Sequence, residues 1–391
     1  MQLSLGLEHR NDMHIYDYLI IGSGLTGLSI AQKLSSETDN IIILEALDCP
    51  GGDNRVALLD NKEINNGLRF FPATDSAEKG IEFLEGLIGS NPVLQRQENN
   101  PETYEASGFK PFVGFGEKNV EFYEQLSYFL SSEEYVLAEQ PFAWIQKFLE
   151  NLKNKIQTKS IVTRFGFESQ DSEEPKLTHV VVNGTKSIFA RNFIFAGPVK
   201  DLGFLLPDEI LSLRAKAKLK KSQAWQAVCL DLFHSVIVEK NNLFVLDGTT
   251  DDELGPCLGR FLKTIEIEGQ VSQWISFVDA ELAEDTENIG HVLKKMKRQI
   301  KRAFPAVADS IKKERIFVTQ ALSGSDLKLT GHLTIPKVDN LWIASSQLSR
   351  SKNILGSLKQ AQLVLAAMGF QTGVGFDSVP TEELEPAISF S

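Results

Sequence analysis

Cysteine is scarce: the 391 residues hold only Cys49, Cys229 and Cys257, far apart along the chain. That excludes a CxxC redox pair, a cysteine-based zinc cluster and a disulfide framework, and the expected location is a reducing cytoplasm. No run approaches the roughly 18–20 uninterrupted apolar residues that a bilayer span requires, and the first twelve residues, MQLSLGLEHRND, lack the apolar core of a signal peptide. No integral membrane association is expected. Those residues precede a second methionine, Met13, a more typical start for the strand that follows. Positive charge is also outweighed. With 40 Lys and Arg against 52 Asp and Glu, the net charge of −12 repels a phosphate backbone and argues against nucleic acid as a partner. The 42% hydrophobic and 24% charged content, with few low-complexity tracts, describes a soluble globular chain.

At ~150 residues per domain, this length predicts two or three domains. Residues 16–21, YDYLII, form a short apolar run that predicts a buried parallel strand. From Gly24 to Leu34 the period turns helical, and IIILE at 41–45 predicts a second strand, completing a βαβ unit. Helical patterns follow at 77–87, 121–130 and 142–156, with an aromatic, glycine-rich stretch at 108–116. Strands are predicted at 160–167, around 178–184 and at 191–198. Between 200 and 320, strands AWQAVCLDLF, NLFVLDG, QWISFVD and RIFVTQAL surround a basic helix at 289–303 and suggest an antiparallel-sheet domain. NLWIAS at 340–345 predicts a last buried strand and 355–368 a last helix. The tail after Gly369, with Pro380 and Pro386, is expected to be mobile.

The chemistry concentrates in the first unit. Gly22, Gly24 and Gly27 in GSGLTG lie between strand and helix, together with Ser23, Leu25 and Thr26. The first glycine allows the tight turn, the second lets backbone approach a pyrophosphate, and the third permits close helix–strand packing. The helix N-terminus then faces the phosphates. Glu45 ends the second strand 23 residues after Gly22, where its carboxylate can accept from ribose hydroxyls and disfavours the 2′-phosphate of NADP. A glycine turn alone is weak evidence; strand, glycines, helix and acid in register specify a dinucleotide site.

At this point the chain resembles the FAD-dependent amine oxidase superfamily, which includes protoporphyrinogen oxidases and phytoene-desaturase-like and renalase-like proteins. Gly51 and Gly52 match the glycine pair that follows the ribose-binding acid, beyond Ala46. The family's next residue is usually an arginine that approaches the pyrophosphate; here it is Asp53, with Arg55 two places on. NNGLRFF at 65–71 matches a segment passing beside the flavin, with Gly67 as its close-approach residue and Leu68 and Arg69 beside it. Val162 matches a strand residue whose backbone meets adenine. Ala196 and Gly197 match a strand end beside the cofactor. Ser345 and Ser346 stand where many members carry an acid, and their hydroxyls can still bond phosphate. Asn353, Ile354, Leu355 and Gly356 match the turn into a closing helix whose positive end stabilises reduced flavin.

Two further departures bear on activity. The lysine that many amine oxidases hold near flavin N5 is replaced by Trp225 or Gln226, unless Lys220 or Lys221 supplies it, and the region before Gly356 lacks the tyrosine that helps build an amine-orienting aromatic cage. Simple amine oxidation is therefore not expected. No cysteine follows Cys257, so the resemblance implies non-covalent FAD.

Bland alternatives cover most other features. Helix 292–304, with Val292, Met296 and Ile300 on one face, resembles a membrane-surface helix but is more simply a core helix with a solvated basic side. The run RAKAKLKK at 214–221 is treated alike, although two basic clusters could together attract an anionic partner. His179, His234, His291 and His332 lack metal-ligand spacing, and no metal is expected. Ser323 and Ser325 lack triad partners. Trp225 is expected in the core.

The expected fold is α/β: a Rossmann-like FAD-binding domain from 14–75, 151–200 and 330–370, interleaved with an α+β substrate domain from 76–150 and 201–329, then a tail at 371–391. The expected activity is hydride transfer from an unidentified small-molecule substrate to flavin N5, with oxygen or another acceptor reoxidising the cofactor. The catalytic residues are not identified. The rivals are an isoprenoid desaturase or isomerase, suggested by 25 phenylalanines, and a non-catalytic protein with structural FAD.

Overall fold

The computed structural model describes residues 14–105, 108–115, 126, 128–168, 175–221, 225–246, 256–263, 269–319, 327, 329–349 and 353–372. The chain opens with β1 (Ile15–Ile21), α1 (Leu25–Leu34) and β2 (Ile41–Leu44). Leu19, Ile20, Ile43 and Leu44 are buried, as expected for strands covered on both faces. A hairpin that the sequence patterning did not predict follows, β3 (Val56–Leu59) and β4 (Lys62–Asn65). Its two turn residues, Asp60 and Asn61, both have positive φ, a conformation these side chains tolerate.

Next come α2 (Asp75–Ile88), β5 (Val93–Glu98), β6 (Glu102–Glu105), β7 (Gly108–Pro111), β8 (Glu133–Leu137), α3 (Pro141–Leu152), β9 (Ile156–Gln157), β10 (Val162–Phe167), β11 (Leu177–Val182) and β12 (Lys186–Phe195). Then α4 (Leu202–Leu205), α5 (Leu213–Lys221), β13 (Trp225–His234), β14 (Phe244–Leu246), β15 (Cys257–Phe261), β16 (Gln270–Asp279), α6 (Thr286–Ala303), α7 (Pro305–Asp309), β17 (Ile311–Val318), β18 (Thr334–Ile335), β19 (Val338–Ile343) and α8 (Asn353–Ala367) complete the described elements. Most of the helical pattern at 121–130, Ser323, Ser325 and the tail from 373 lie outside the described residues.

The first sheet runs β9-β2-β1-β12-β19 in parallel, and β12 also pairs antiparallel with β11, which pairs with β10. Ile21 is in register with Leu44 on one side and Phe195 on the other, so the carboxyl ends of the three central strands align. In open sheets of this kind, ligands bind at that edge. One face is covered by α1, α2, α3 and α8, which share a core containing Leu28, Leu84, Trp144, Phe148 and Leu358. The other face buries Phe165, Leu177, Leu202 and Leu219.

The expected domain partition departs from this packing. Helices α2 and α3 fall almost wholly within 76–150, and α4 and α5 within 201–329, yet all four bury apolar side chains on the first sheet or its helices. Their own apolar stripes decide this: Trp144, Ile145 and Phe148 on α3 are spaced to meet α1.

The second sheet is ordered β17-β13-β16-β15-β14-β6-β7. Helix α6 covers one face, with Val292, Met296 and Ile300 packed among Phe244, Phe261, Trp274 and Phe304, so the core reading of this basic helix holds. Asp285 caps its start by accepting from the Glu287 amide at 2.9 Å. The opposite face of β13 presents Trp225, Ala227 and Cys229, which meet Leu68 and Phe70, so Trp225 is in the core as expected.

His234 ends β13 fully buried; its Nδ1 donates to the Val236 carbonyl at 2.7 Å, and burial lowers its pKa below the ordinary value. A neutral imidazole is therefore the folded form. Its stabilisation is fully present above the unfolded pKa of about 6.5 and is lost as pH falls toward the lower folded value, at up to about 1.4 kcal/mol per pH unit. In urea titrations the stability gap between wild type and His234→Gln should shrink as pH is lowered from about 7.5 to about 5.5. A gap independent of pH would show that His234 does not charge on unfolding.

Candidate functional site

Between β1 and α1 the chain turns at Gly22, with φ +100°; its amide donates to the Leu44 carbonyl at 2.8 Å, and a Cβ there would stand 3.1 Å from the Ala196 carbonyl oxygen. Gly24 is the helix N-cap, and no side chain caps the first turn. A Cβ built on Gly24 meets nothing within 4 Å, whereas one built on Gly27 would lie 2.1 Å from the Gly22 oxygen. The second glycine pair closes on the first. The Gly51 amide donates to the Ser23 carbonyl at 2.9 Å, and a Cβ on Gly52 would be 3.1 Å from Gly24 Cα. Two glycine clusters thus form one backbone-lined concavity at the carboxyl edge, headed by an uncapped helix start that suits an anion.

Glu45 is buried beside it. Its Oε2 accepts from the Ser23 amide at 2.9 Å and hydroxyl at 2.5 Å, and its Oε1 accepts from the Leu47 amide at 2.9 Å. A carboxylate has about four acceptor sites, so three bonds fix its orientation and leave one for a ligand hydroxyl. The Ser160 amide donates to the Glu45 carbonyl at 2.8 Å, which brings the segment leading to half-buried Val162 alongside. Ser23 and Ser160 as partners of Glu45 carry no separate sequence signal, because the serine–acid pairing exists only once the strands align.

The remaining predicted residues divide. Ala196 touches the Gly22 turn, and Gly197 follows it. Ala46 is exposed, and Arg55 is half-buried after the glycine pair. Ser345 is buried and Ser346 begins a short 3-10 turn. Asn353 opens α8 with φ +54°, while Ile354 and Leu355 turn their side chains into the core, Leu355 against Gly80, leaving only their backbone amides for a ligand. Thr26 Oγ1 donates to the Ser357 carbonyl at 3.2 Å and ties α8 to α1. Lys220 and Lys221 are exposed on α5, a helix packed on the first sheet, so neither supplies an amine beside Gly67.

Segment 65–71 lies between the two sheets. A Cβ on Gly67 would stand 2.9 Å from the Phe317 ring and 3.3 Å from Cys229 Sγ, so its missing side chain makes room for the second sheet. Arg69 donates to the carbonyls of Asp53 and Asn66, linking the segment to the loop after the second glycine pair. Sequence patterning missed a clamp here. Fully buried Asp231 accepts from Arg315 Nη1 at 2.7 Å and from Gln273 Nε2 at 3.0 Å; Arg315 also donates to Asn66 Oδ1, and Gln273 to the Asn65 carbonyl at 2.9 Å. Burial raises the Asp231 pKa, and Arg315 and Gln273 pull it back down.

A cavity of about 790 Å3 opens on the same segment, lined by Asn65, Leu68, Arg69 and Phe70 together with Glu134, Arg260 and Gln273. Glu134 is taken up by a bidentate pair with Arg260 at 2.9 and 3.0 Å and a bond from Gln97 at 2.8 Å. Among the described residues no group of three or more His, Cys, Asp or Glu could hold a metal ion.

Residues 20–87 match the family model for an NAD(P)-binding Rossmann-like domain. Solved structures align over nearly the whole chain. An oxidoreductase from Methanosarcina mazei gives a TM-score of 0.65 at 11% identity, covering 90% of this chain and 100% of that one. A chain assigned to the protoporphyrinogen oxidases, from Exiguobacterium sp. 255-15, gives 0.60 at 12% identity, with 91% and 99% covered. Cyclohexylamine oxidase from Brevibacterium oxydans IH-35A gives 0.60 at 12% identity, with 90% and 98% covered. The chain shares its fold with these oxidoreductases. A curated relative, flavin-containing amine oxidase A of Equus caballus, is 40% identical over 52 residues, which span 13% of this chain and 10% of that protein.

The glycine geometry separates folding from cofactor binding. Gly24→Val should leave the apoprotein's melting temperature within about 2 °C of wild type, because its side chain enters open space, yet abolish FAD binding by filling the route to the pyrophosphate. Gly27→Ala should instead fail to fold or lose several kcal/mol, roughly the cost of overpacking against immovable backbone. Calorimetry of the apoproteins and quenching of FAD fluorescence measure the two effects; a valine variant that binds FAD normally would remove this turn from the phosphate site.

Proposed function

We propose that the chain is an FAD-dependent oxidoreductase that holds FAD without a covalent link and oxidises a small-molecule substrate. The observation that carries this reading is the joined glycine concavity with Glu45 oriented beside it. The residues fit the group: the α1 amides and Gly24, Gly51 and Gly52 would face the pyrophosphate, the remaining acceptor site of Glu45 a ribose hydroxyl, and the backbone near Val162 the adenine. Segment 67–69, the 196–197 strand end and the start of α8 would border the flavin. Bound FAD supplies a two-electron acceptor for hydride from a substrate carbon, and oxygen or another acceptor takes those electrons on.

This chain's own groups orient and exclude water. The cavity walls of Leu68 and Phe70 offer an apolar surface, while Arg69 and the Asp231–Arg315–Asn66 clamp hold the flavin-side segment in place. The positions facing Gly67 are Cys229 and Phe317, neither of which carries an amine, and this favours a substrate oxidised across a carbon–carbon bond, as in a desaturase, over a simple primary amine.

Purified protein should be yellow, and acid or heat should release all of the flavin. A preparation that neither retains nor takes up FAD would sink the proposal, whereas flavin left on the denatured chain would refute only the non-covalent link. With benzylamine, peroxide release should be negligible, since neither Trp225 nor Gln226 reproduces an ammonium donor. Rapid benzylamine turnover would overturn the preference against simple amines.

A further inference from the structure

Helix α5 and the short α4 beside it carry apolar side chains on the wrong side for packing. Leu219 is buried on the first sheet's core, while Leu213 at the start of α5 is 69% exposed and Phe204 on α4 is 83% exposed. At 100° per residue, Leu213, Ala217 and Lys220 fall on one outward stripe of α5, with Arg214 and Lys221 along its flank, and all five are exposed. Helices α4 and α5 pack against each other, so Phe204 belongs to the same region. Residues 200–221 hold six basic side chains against three acidic ones on a chain whose net charge is −12, and Lys216 pairs with Asp208 at 2.7 Å.

We propose that the α4–α5 face is a docking surface for an anionic lipid bilayer, with Phe204 and Leu213 entering the headgroup–acyl boundary and Arg214, Lys220 and Lys221 meeting the phosphates. Protruding apolar side chains with cations along the same helix are what an interfacial helix presents. A polyanion in water gives Phe204 and Leu213 nothing apolar to enter. A symmetric contact between two copies through this face sets the cations of one against those of the other. The contrast with α6 is physical: its apolar stripe is used up by Phe244, Trp274 and Phe304, and only its basic side is left outside.

The test is co-sedimentation of the full-length, FAD-equilibrated protein with phosphatidylcholine vesicles, with and without about one-third phosphatidylserine, at low salt. Binding should be at least about tenfold stronger to the anionic vesicles and should fall as salt is raised toward about 0.5 M. Phe204→Ser with Leu213→Ser, and separately Lys220→Glu with Lys221→Glu, should each weaken it about tenfold or more, with circular dichroism and melting temperature unchanged. These side chains are exposed, so either pair should fold. Absence of wild-type binding, equal binding to neutral vesicles, or variants that bind like wild type would overturn the proposal. So would size-exclusion elution as a dimer that Phe204→Ser with Leu213→Ser converts to a monomer, because the face would then join two copies.

Discussion

The contact between Gly27 and the Gly22 carbonyl governs the architecture around the strand ends. A methyl group there would overlap the oxygen, so α1 lies on the end of β1 as closely as backbone allows. From that position the helix start faces the carboxyl edge, Ser23 is brought to Glu45, and Gly24 is placed against Gly51 and Gly52. The same seating lets Thr26 reach the Ser357 carbonyl, 331 residues away, so the last described helix is referenced to the first. The concavity is made of backbone, and backbone groups held by strand register need no rearrangement to receive a ligand.

The second constraint is electrostatic and joins the halves. Asp231 has no exposed surface, and a carboxylate so buried is tolerated only with its partners in place. Arg315 and Gln273 supply them and, through Asn66 and the Asn65 carbonyl, fasten the segment that also packs through Gly67 against Cys229 and Phe317. Such a pair contributes little net stability after desolvation, but it makes any other placement of the segment costly. The segment that lines the cavity is therefore positioned by the second sheet, through contacts between residues far apart in the chain.

Charge and hydrophobicity act differently on two helices of similar composition. Helix α6 and helix α5 are both rich in lysine and arginine, and both carry apolar residues at helical spacing. In α6 those residues complete the core of the second sheet. In α5 Leu219 is buried against the first sheet with Ala215 packed beside it, and Leu213 is left facing outward.

The sequence by itself determined the local units. Period and glycine spacing specify β1, α1 and β2; Glu45 follows from strand length; and the buried runs at 191–195 and 340–343 read as strands because both of their faces must be covered. The hairpin at 56–65 was not read from the sequence, because the left-handed turn at Asp60 and Asn61 falls in a stretch with weak alternation. Tertiary structure alone decided which sheet α2 to α5 would cover, because an amphipathic stripe states that a partner is needed without naming it. It alone brought Ser23 and Ser160 to Glu45, and Arg315 through Asp231 to Asn66. Those partners lie 22 to 249 residues apart, and no local pattern encodes a pairing that exists only when distant strands come into register.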